Sequence, residues 1–181
     1  KGSYDIWVIK LSSNGDLLWE RSYGGSKYET ANSIIQSADK KIHILGSTLS
    51  NDKNISFQMG SSDLWLLTID SDGNLLGEQT FGGSNFDKGK KIEIDSKDNL
   101  WLTGYSRSID FDFSSNKGKN DAVLIQLSKN RILKEVFEIG AEGEDIANSL
   151  IHFNENEIIV AGYSDSKEDY FIENKGGKDI F

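Results

Sequence analysis

An all-β fold of repeated four-stranded sheets is predicted by a strict internal period, by strand-length apolar runs closed with turn residues, and by the lack of any helical apolar periodicity. The period is 58 residues. Gly2, Gly60, Gly118 and Gly176 keep this step, and so do Asp5, Asp63, Asp121 and Asp179. The same spacing links Gly24, Gly82 and Gly140, then Glu29, Asp87 and Asp145, then Gly46, Gly104 and Gly162, and finally Ser50, Ser108 and Ser166. Three copies fill residues 1–174, and residues 175–181 open a fourth.

The second copy shows how each element is justified. Residues 63–70 (DLWLLTID) form a nearly continuous apolar run, which suits a central strand buried on both faces. Residues 71–74 (SDGN) signal a turn, and residues 75–81 read as a more polar strand suited to a sheet edge. Gly82-Gly83-Ser84 breaks the chain again. Residues 90–95 (KKIEID) give a third strand, residues 96–99 a tight turn, and residues 100–105 a fourth strand containing Trp101. Residues 106–120 form a longer polar loop.

Four antiparallel strands at one fixed period predict a β-propeller, each repeat supplying one radial blade. A β-helix is the competing architecture, but its coils are shorter and lack two hairpin turns per unit. The small-residue segments 31–35, 89–93 and 147–151 suit the crowded axis of a propeller, so blades are expected to begin after each glycine pair. On that reading the chain holds two outer strands of one blade, two whole blades, and the inner strands of another. This is an incomplete ring, about three blades of a larger propeller, because closed propellers have roughly 4–8 blades. The expectation is therefore a partial propeller domain over residues 1–181, as a segment of a longer protein.

Composition narrows the function. The 181-residue chain is 36% hydrophobic, ordinary for a globular domain, and its net charge of −9 repels nucleic-acid phosphates and anionic lipid. No apolar run approaches the roughly 20 residues that span a bilayer as a helix. With no cysteine, disulfides and thiolate metal sites are excluded.

The recurring Gly-Gly-Ser-x-x-Asp/Glu, apolar strand, Asp/Asn turn, Gly-Tyr-Ser-x-Ser and Gly-x-x-Asp-x-Trp resemble the SBBP-type β-propeller repeat of bacterial secreted and cell-surface proteins. The first copy carries it through Tyr23-Gly24-Gly25-Ser26, Glu29 and Asp5-Ile6-Trp7; the second through Phe81-Gly82-Gly83-Ser84, Asp87, Gly104-Tyr105-Ser106-Arg107-Ser108 and Asp63-Leu64-Trp65. The third copy departs, with Ile139-Gly140-Ala141-Glu142 and Asp121-Ala122-Val123, while Asp145 and Gly162-Tyr163-Ser164-Asp165-Ser166 remain. The resemblance implies an extracytoplasmic location: cell surface, outer-membrane-associated, periplasmic or secreted. Some such proteins leave by type IX secretion.

Repetition also sorts the candidate residues, since a blade's structural parts recur and an active site is built once. Asp5, Asp63, Asp121 and Asp179 are expected to accept backbone N–H groups at the turn entering the buried strand, and Glu29, Asp87 and Asp145 to act likewise before the inner strand. No catalytic residue is assigned. The Asp70-Ser71-Asp72-Gly73-Asn74 segment lacks the glycine spacing and terminal Glu of a calcium loop, and reads as a hairpin turn. The long loops hold the better calcium candidates in Asp52, Asp110, Asp112 and Glu168, although a plain solvated loop is favoured there. Ile55, Phe113 and Phe171 align as apolar loop anchors. Non-repeating aromatics are the candidate binding residues: Phe111, Tyr170, Trp101 and Trp19, of which Trp19 and Trp101 also suit the space between blades. His43 and His152 fall at unmatched positions and read as ordinary strand residues.

The expected function is a non-enzymatic scaffold presenting loops to a protein partner in the envelope or at the surface. The alternative is a carbohydrate-binding or polysaccharide-acting propeller with its site at the central channel. A pure structural spacer is the third possibility.

Overall fold

The computed structural model describes residues 2–171 and 174–181. These residues form four antiparallel sheets. β1 (Ile6–Leu11) and β2 (Leu17–Tyr23) make the first, a two-stranded sheet. β3 (Glu29–Gln36), β4 (Ile42–Thr48), β5 (Asp63–Ile69) and β6 (Leu75–Phe81) make the second, hydrogen-bonded in chain order. β7 (Lys88–Ile94), β8 (Leu100–Ser106), β9 (Asp121–Leu127) and β10 (Leu133–Ile139) repeat that meander as the third. β11 (Asp145–His152), β12 (Ile158–Ser164) and the short β13 (Asp179–Ile180) make the fourth. The described residues are thus all-β apart from one 3-10 turn at Asp169–Phe171, and the four sheets do not close a ring.

The sheets break at the glycine pairs, while the long polar loops stay within a sheet, joining its second strand to its third. Three strands differ from their sequence reading: β5 ends one residue earlier, β8 one residue later, and β7 is displaced as a whole from residues 90–95. β7 begins at Lys88 and ends at Ile94, because Asp95 leaves the ladder to accept the N–H groups of Lys97 and Asn99 at 2.9 and 2.8 Å.

Two-sided burial explains the unbroken apolar run of β5. Trp65, Leu67 and Ile69 face the first sheet and pack with Ile6, Tyr23, Ile44 and Ile55. Leu64 and Leu66 face the other way, packing with Leu45 and Phe81 against Ile92, Leu102 and Val123 of the third sheet. Each such side chain contributes roughly 1.5–3 kcal/mol by leaving water. The first strand of each following sheet lies against the first two strands of the sheet before it, β7 against β3 and β4, and β11 against β7 and β8.

That close approach also needs a repeated backbone irregularity. The ladder between first and second strand shifts register at Ala31/Ser33, at Gly89/Lys91 and at Ala147/Ser149. Opposite each bulge stands Gly46, Gly104 or Gly162, where a Cβ would overlap the carbonyl oxygen of Thr30, Lys88 or Ile146. The recurring glycine is therefore steric.

Candidate functional site

Each long loop is pinned to the glycine turn beside it by one buried carboxylate. Asp87 opens the descent into β7, and its Oδ2 accepts the N–H of Gly83 and the hydroxyl of Ser108, both at 2.8 Å. Its Oδ1 accepts the Ser106 hydroxyl at 2.6 Å and the Arg107 N–H at 3.1 Å. Glu29 does the same with the Gly25 N–H at 2.8 Å and the Thr48 hydroxyl at 3.0 Å. Asp145 takes the Ala141 N–H at 2.8 Å, the Ser166 hydroxyl at 2.9 Å and the Ser164 hydroxyl. The Gly-Gly-Ser and Ser-x-Ser motifs are thus two halves of one clasp, closed by the acid between them in sequence.

A second carboxylate backs the clasp from the strand entering the core. Asp63 Oδ2 accepts the Met59 N–H at 2.6 Å and Asp121 Oδ2 the Lys117 N–H at 2.9 Å; Asp179 holds the Lys175 N–H in the same way. Asp63 Oδ1 and Asp121 Oδ1 are buried without a hydrogen-bond partner. Gly82 is what lets the two acids converge: a Cβ there would overlap Asp63 Oδ1 and stand 3.0 Å from Asp87 Oδ2. At Gly24 the corresponding point lies 2.5 Å from Asp5 Oδ1 and 2.6 Å from Glu29 Oε2. Burial pushes the Asp63 carboxyl up to about 7, against the lowering effect of the Met59 N–H, and the Asp87 and Asp112 charges add to the rise. Burial also raises Asp112 and Asp121.

The long-loop acids serve the same turn. Asp52 Oδ1 accepts the Ser26 N–H at 2.8 Å and Asp110 Oδ1 the Ser84 N–H at 2.7 Å. Asp112 Oδ2 accepts the Gly82 N–H at 3.0 Å, a place filled in the first copy by Asn54, which accepts from Gly24 at 3.1 Å. The loop is therefore tied back along its length, in contrast to the solvated loop the sequence suggested. Glu168 instead lies beside Glu142, whose charge raises its pKa. Among the described residues no group of three or more His, Asp or Glu side chains is arranged to hold a metal ion. Ile55, Phe113 and Phe171 are buried, anchoring each loop onto its sheet.

Loop tips repeat in backbone but not in side chain. Lys53, Phe111 and Asp169 occupy equivalent positions with φ of 58°, 56° and 55°. Phe111 and Tyr170 project into solvent, 68% and 78% exposed. Trp19 and Trp101 are placed differently. Trp19 donates its indole N–H to the Ser71 carbonyl of the next sheet at 3.1 Å. Trp101 stacks on Phe137, with centroids 6.4 Å apart, and meets His152 of the fourth sheet edge-on at 5.6 Å. Both rings work between sheets, and the structure does not bring them together with the exposed pair.

One polar group carries more than its sequence position suggests. His43 is buried between Ser37, whose hydroxyl is 3.0 Å from Nε2, and Thr68, whose hydroxyl is 3.0 Å from Nδ1. Arg131 of the third sheet approaches the same Nε2 at 2.7 Å, so Nε2 accepts and Nδ1 carries the proton. Burial and the Arg131 charge drive the His43 pKa down to about 4. Arg131 takes the positive-φ turn position that Gly15 and Gly73 hold in the other copies, and that break in the repeat is the one sequence signal of the contact.

In comparison with known proteins, no family model matches the chain and no curated protein matches it.

Proposed function

We propose that the chain is part of a β-propeller that acts as a non-enzymatic scaffold, presenting its loops to a protein partner in the bacterial envelope, at the cell surface or outside the cell. Sheets of two, four, four and three strands at one sequence period, with their first strands side by side, support the propeller reading. The resemblance to SBBP-type repeats supports the location. What carries the recognition role is the loop tip: one backbone conformation, held by the same clasp, displays Lys53, Phe111 and Asp169 in successive copies. A fixed frame with variable side chains offers a surface whose ordering entropy is lost on folding rather than on binding.

The exposed rings of Phe111 and Tyr170 favour glycan stacking as the second reading. A triple variant of the loop tips, Lys53→Ser, Phe111→Ser and Asp169→Ser, separates the possibilities. Immobilised wild-type chain should retain an envelope protein at least about tenfold better than the variant, with no retention on a glycan panel. Glycan retention abolished by Phe111→Ser alone would instead establish the carbohydrate reading. Equal behaviour of wild type and triple variant in both assays would leave only a spacer.

A further inference from the structure

The repeat is broken where the second and third sheets meet at their hairpin ends, opposite the long loops. In the first copy Trp19 covers the turn of the next sheet. Its indole N–H reaches the Ser71 carbonyl at 3.1 Å, and its ring would stand 3.2 Å from a Cβ on Gly73. The matching residue of the second copy is Gly77, whose would-be Cβ meets nothing. The turn facing it changes as well, with Lys129 and Arg131 in the places of Ser71 and Gly73. Loss of the ring leaves a cleft of about 580 Å³, walled by Leu66, Leu76, Gly77 and Ile132, with Lys129 and Arg131 at its side. Both sheets that form it are complete four-stranded meanders.

Arg131 is anchored there but not neutralised. Its Nη1 donates to the carbonyls of Lys129 at 2.9 Å and Asp98 at 3.3 Å, and its Nη2 to His43 Nε2 at 2.7 Å, all uncharged acceptors. Among the described residues its Nε–H has no acceptor, and neither Arg131 nor Lys129 forms an ion pair. The acids lining the cleft are occupied. Asp39 is paired with Lys41 at 2.7 Å. Glu78 accepts the Trp65 indole N–H at 2.9 Å and the Ser56 N–H at 3.1 Å, on the face turned to the first sheet. Asp98 acts on Arg131 through space, so with Lys129 the cleft keeps a surplus of positive charge on a protein whose net charge is −9. Arg131 also holds a φ of 66°, a cost that glycine avoids in the other copies.

We propose that this cleft binds a small organic carboxylate, its oxygens on the open edge of the Arg131 guanidinium and its apolar body in the space left at Gly77, against Leu76 and Ile132. A guanidinium fork matches a planar carboxylate, and such charge-assisted bonds are the strong ones. His43 holds the guanidinium from behind and is itself fixed by the Thr68 hydroxyl at 3.0 Å, so the donor edge is set before a ligand arrives. Leu76 and Ile132, 52% and 65% exposed, gain by being covered. Apolar walls around a few convergent polar groups are what a small-molecule site requires. The inference goes beyond the loop surface and does not depend on it, because the cleft lies at the other ends of the strands.

The test is an NMR titration of the chain with benzoate, phenylacetate and isovalerate at neutral pH, following the His43 imidazole nitrogens and the Arg131 Nε–H. At least one acid should give saturable shifts at both groups with millimolar or tighter affinity, while benzamide and phenylacetamide, which carry no charge, give none. Arg131→Gln should weaken binding at least about tenfold, the worth of a hydrogen bond to a charged group. Gly77→Trp, which returns the ring of the first copy, should block the cleft to the same extent with the urea midpoint retained. Phe111→Ser, at a loop tip, should leave binding unchanged. Three acids without a saturable shift at His43 would overturn the proposal, and that result comes from the wild-type chain alone. Equal binding of acid and amide, or undiminished binding by Gly77→Trp, would overturn it too. Inorganic phosphate binding as tightly as the acids would overturn the assignment to an organic carboxylate.

Discussion

At Asp87 a single carboxylate satisfies two backbone N–H groups and two hydroxyls in a place closed to water. Asp87→Ala leaves all four without their acceptor, and buried unpaired groups are expensive, so we expect a loss of about 3–5 kcal/mol in urea unfolding. A loss under about 1 kcal/mol would show that the clasp does not hold the loop. Asp63 titrates in the opposite sense to most structural carboxylates. Its folded pKa lies above the unfolded one, so the stabilisation is complete below the ordinary carboxylate value and is lost as the pH rises through about 7. Unfolding measured between pH 5 and 8 should show a steeper alkaline decline for wild type than for Asp63→Asn, and parallel curves would contradict the assignment. The recurrence of both acids is readable in the sequence; their convergence around Gly82 is not, because it depends on how two strands of one sheet meet the preceding turn.

The bulge between the first and second strand of each sheet is held by the glycine opposite it. Gly104 faces the Lys88 carbonyl so closely that Gly104→Ala must displace the backbone, and the overpacking should cost about 3 kcal/mol. Gly77, on β6, has nothing near its would-be Cβ, so Gly77→Ala should leave the urea midpoint unchanged or slightly raised. Equal effects at the two positions would remove the steric account. Strand order and turns are legible from local chemistry: Asp95 with Asn99, and Asp70 with Asn74, are side-chain-closed turns that any reader of the sequence can find. The bulge leaves only a periodic glycine, whose cause lies on the neighbouring strand.

Across the interface of the second and third sheets, His43 and Arg131 form a polar tie beside the apolar contacts, together with hydrogen bonds from Asn32 to the Gly89 carbonyl and from Gln79 to the Arg131 carbonyl. The His43 pKa is depressed, so this contribution is present above its unfolded value and lost as the pH falls from about 6.5 to about 4. Arg131→Gly restores the turn residue of the other copies and should raise the His43 midpoint, followed by imidazole NMR, while shrinking the acid-side loss. An unchanged midpoint would assign the depression to burial alone. The period, the strands, the turns and the sets of residues that recur are legible without coordinates, because hydrophobic alternation and turn chemistry act over a few positions and a repeat writes them several times. Which acids converge, the tying down of the long loops, and the placing of Trp19 and Trp101 between sheets while Phe111 and Tyr170 reach solvent were settled by the fold. Those outcomes depend on contacts between residues from about 20 to 90 positions apart, and the closing of such distances is set by packing of whole sheets rather than by any local preference.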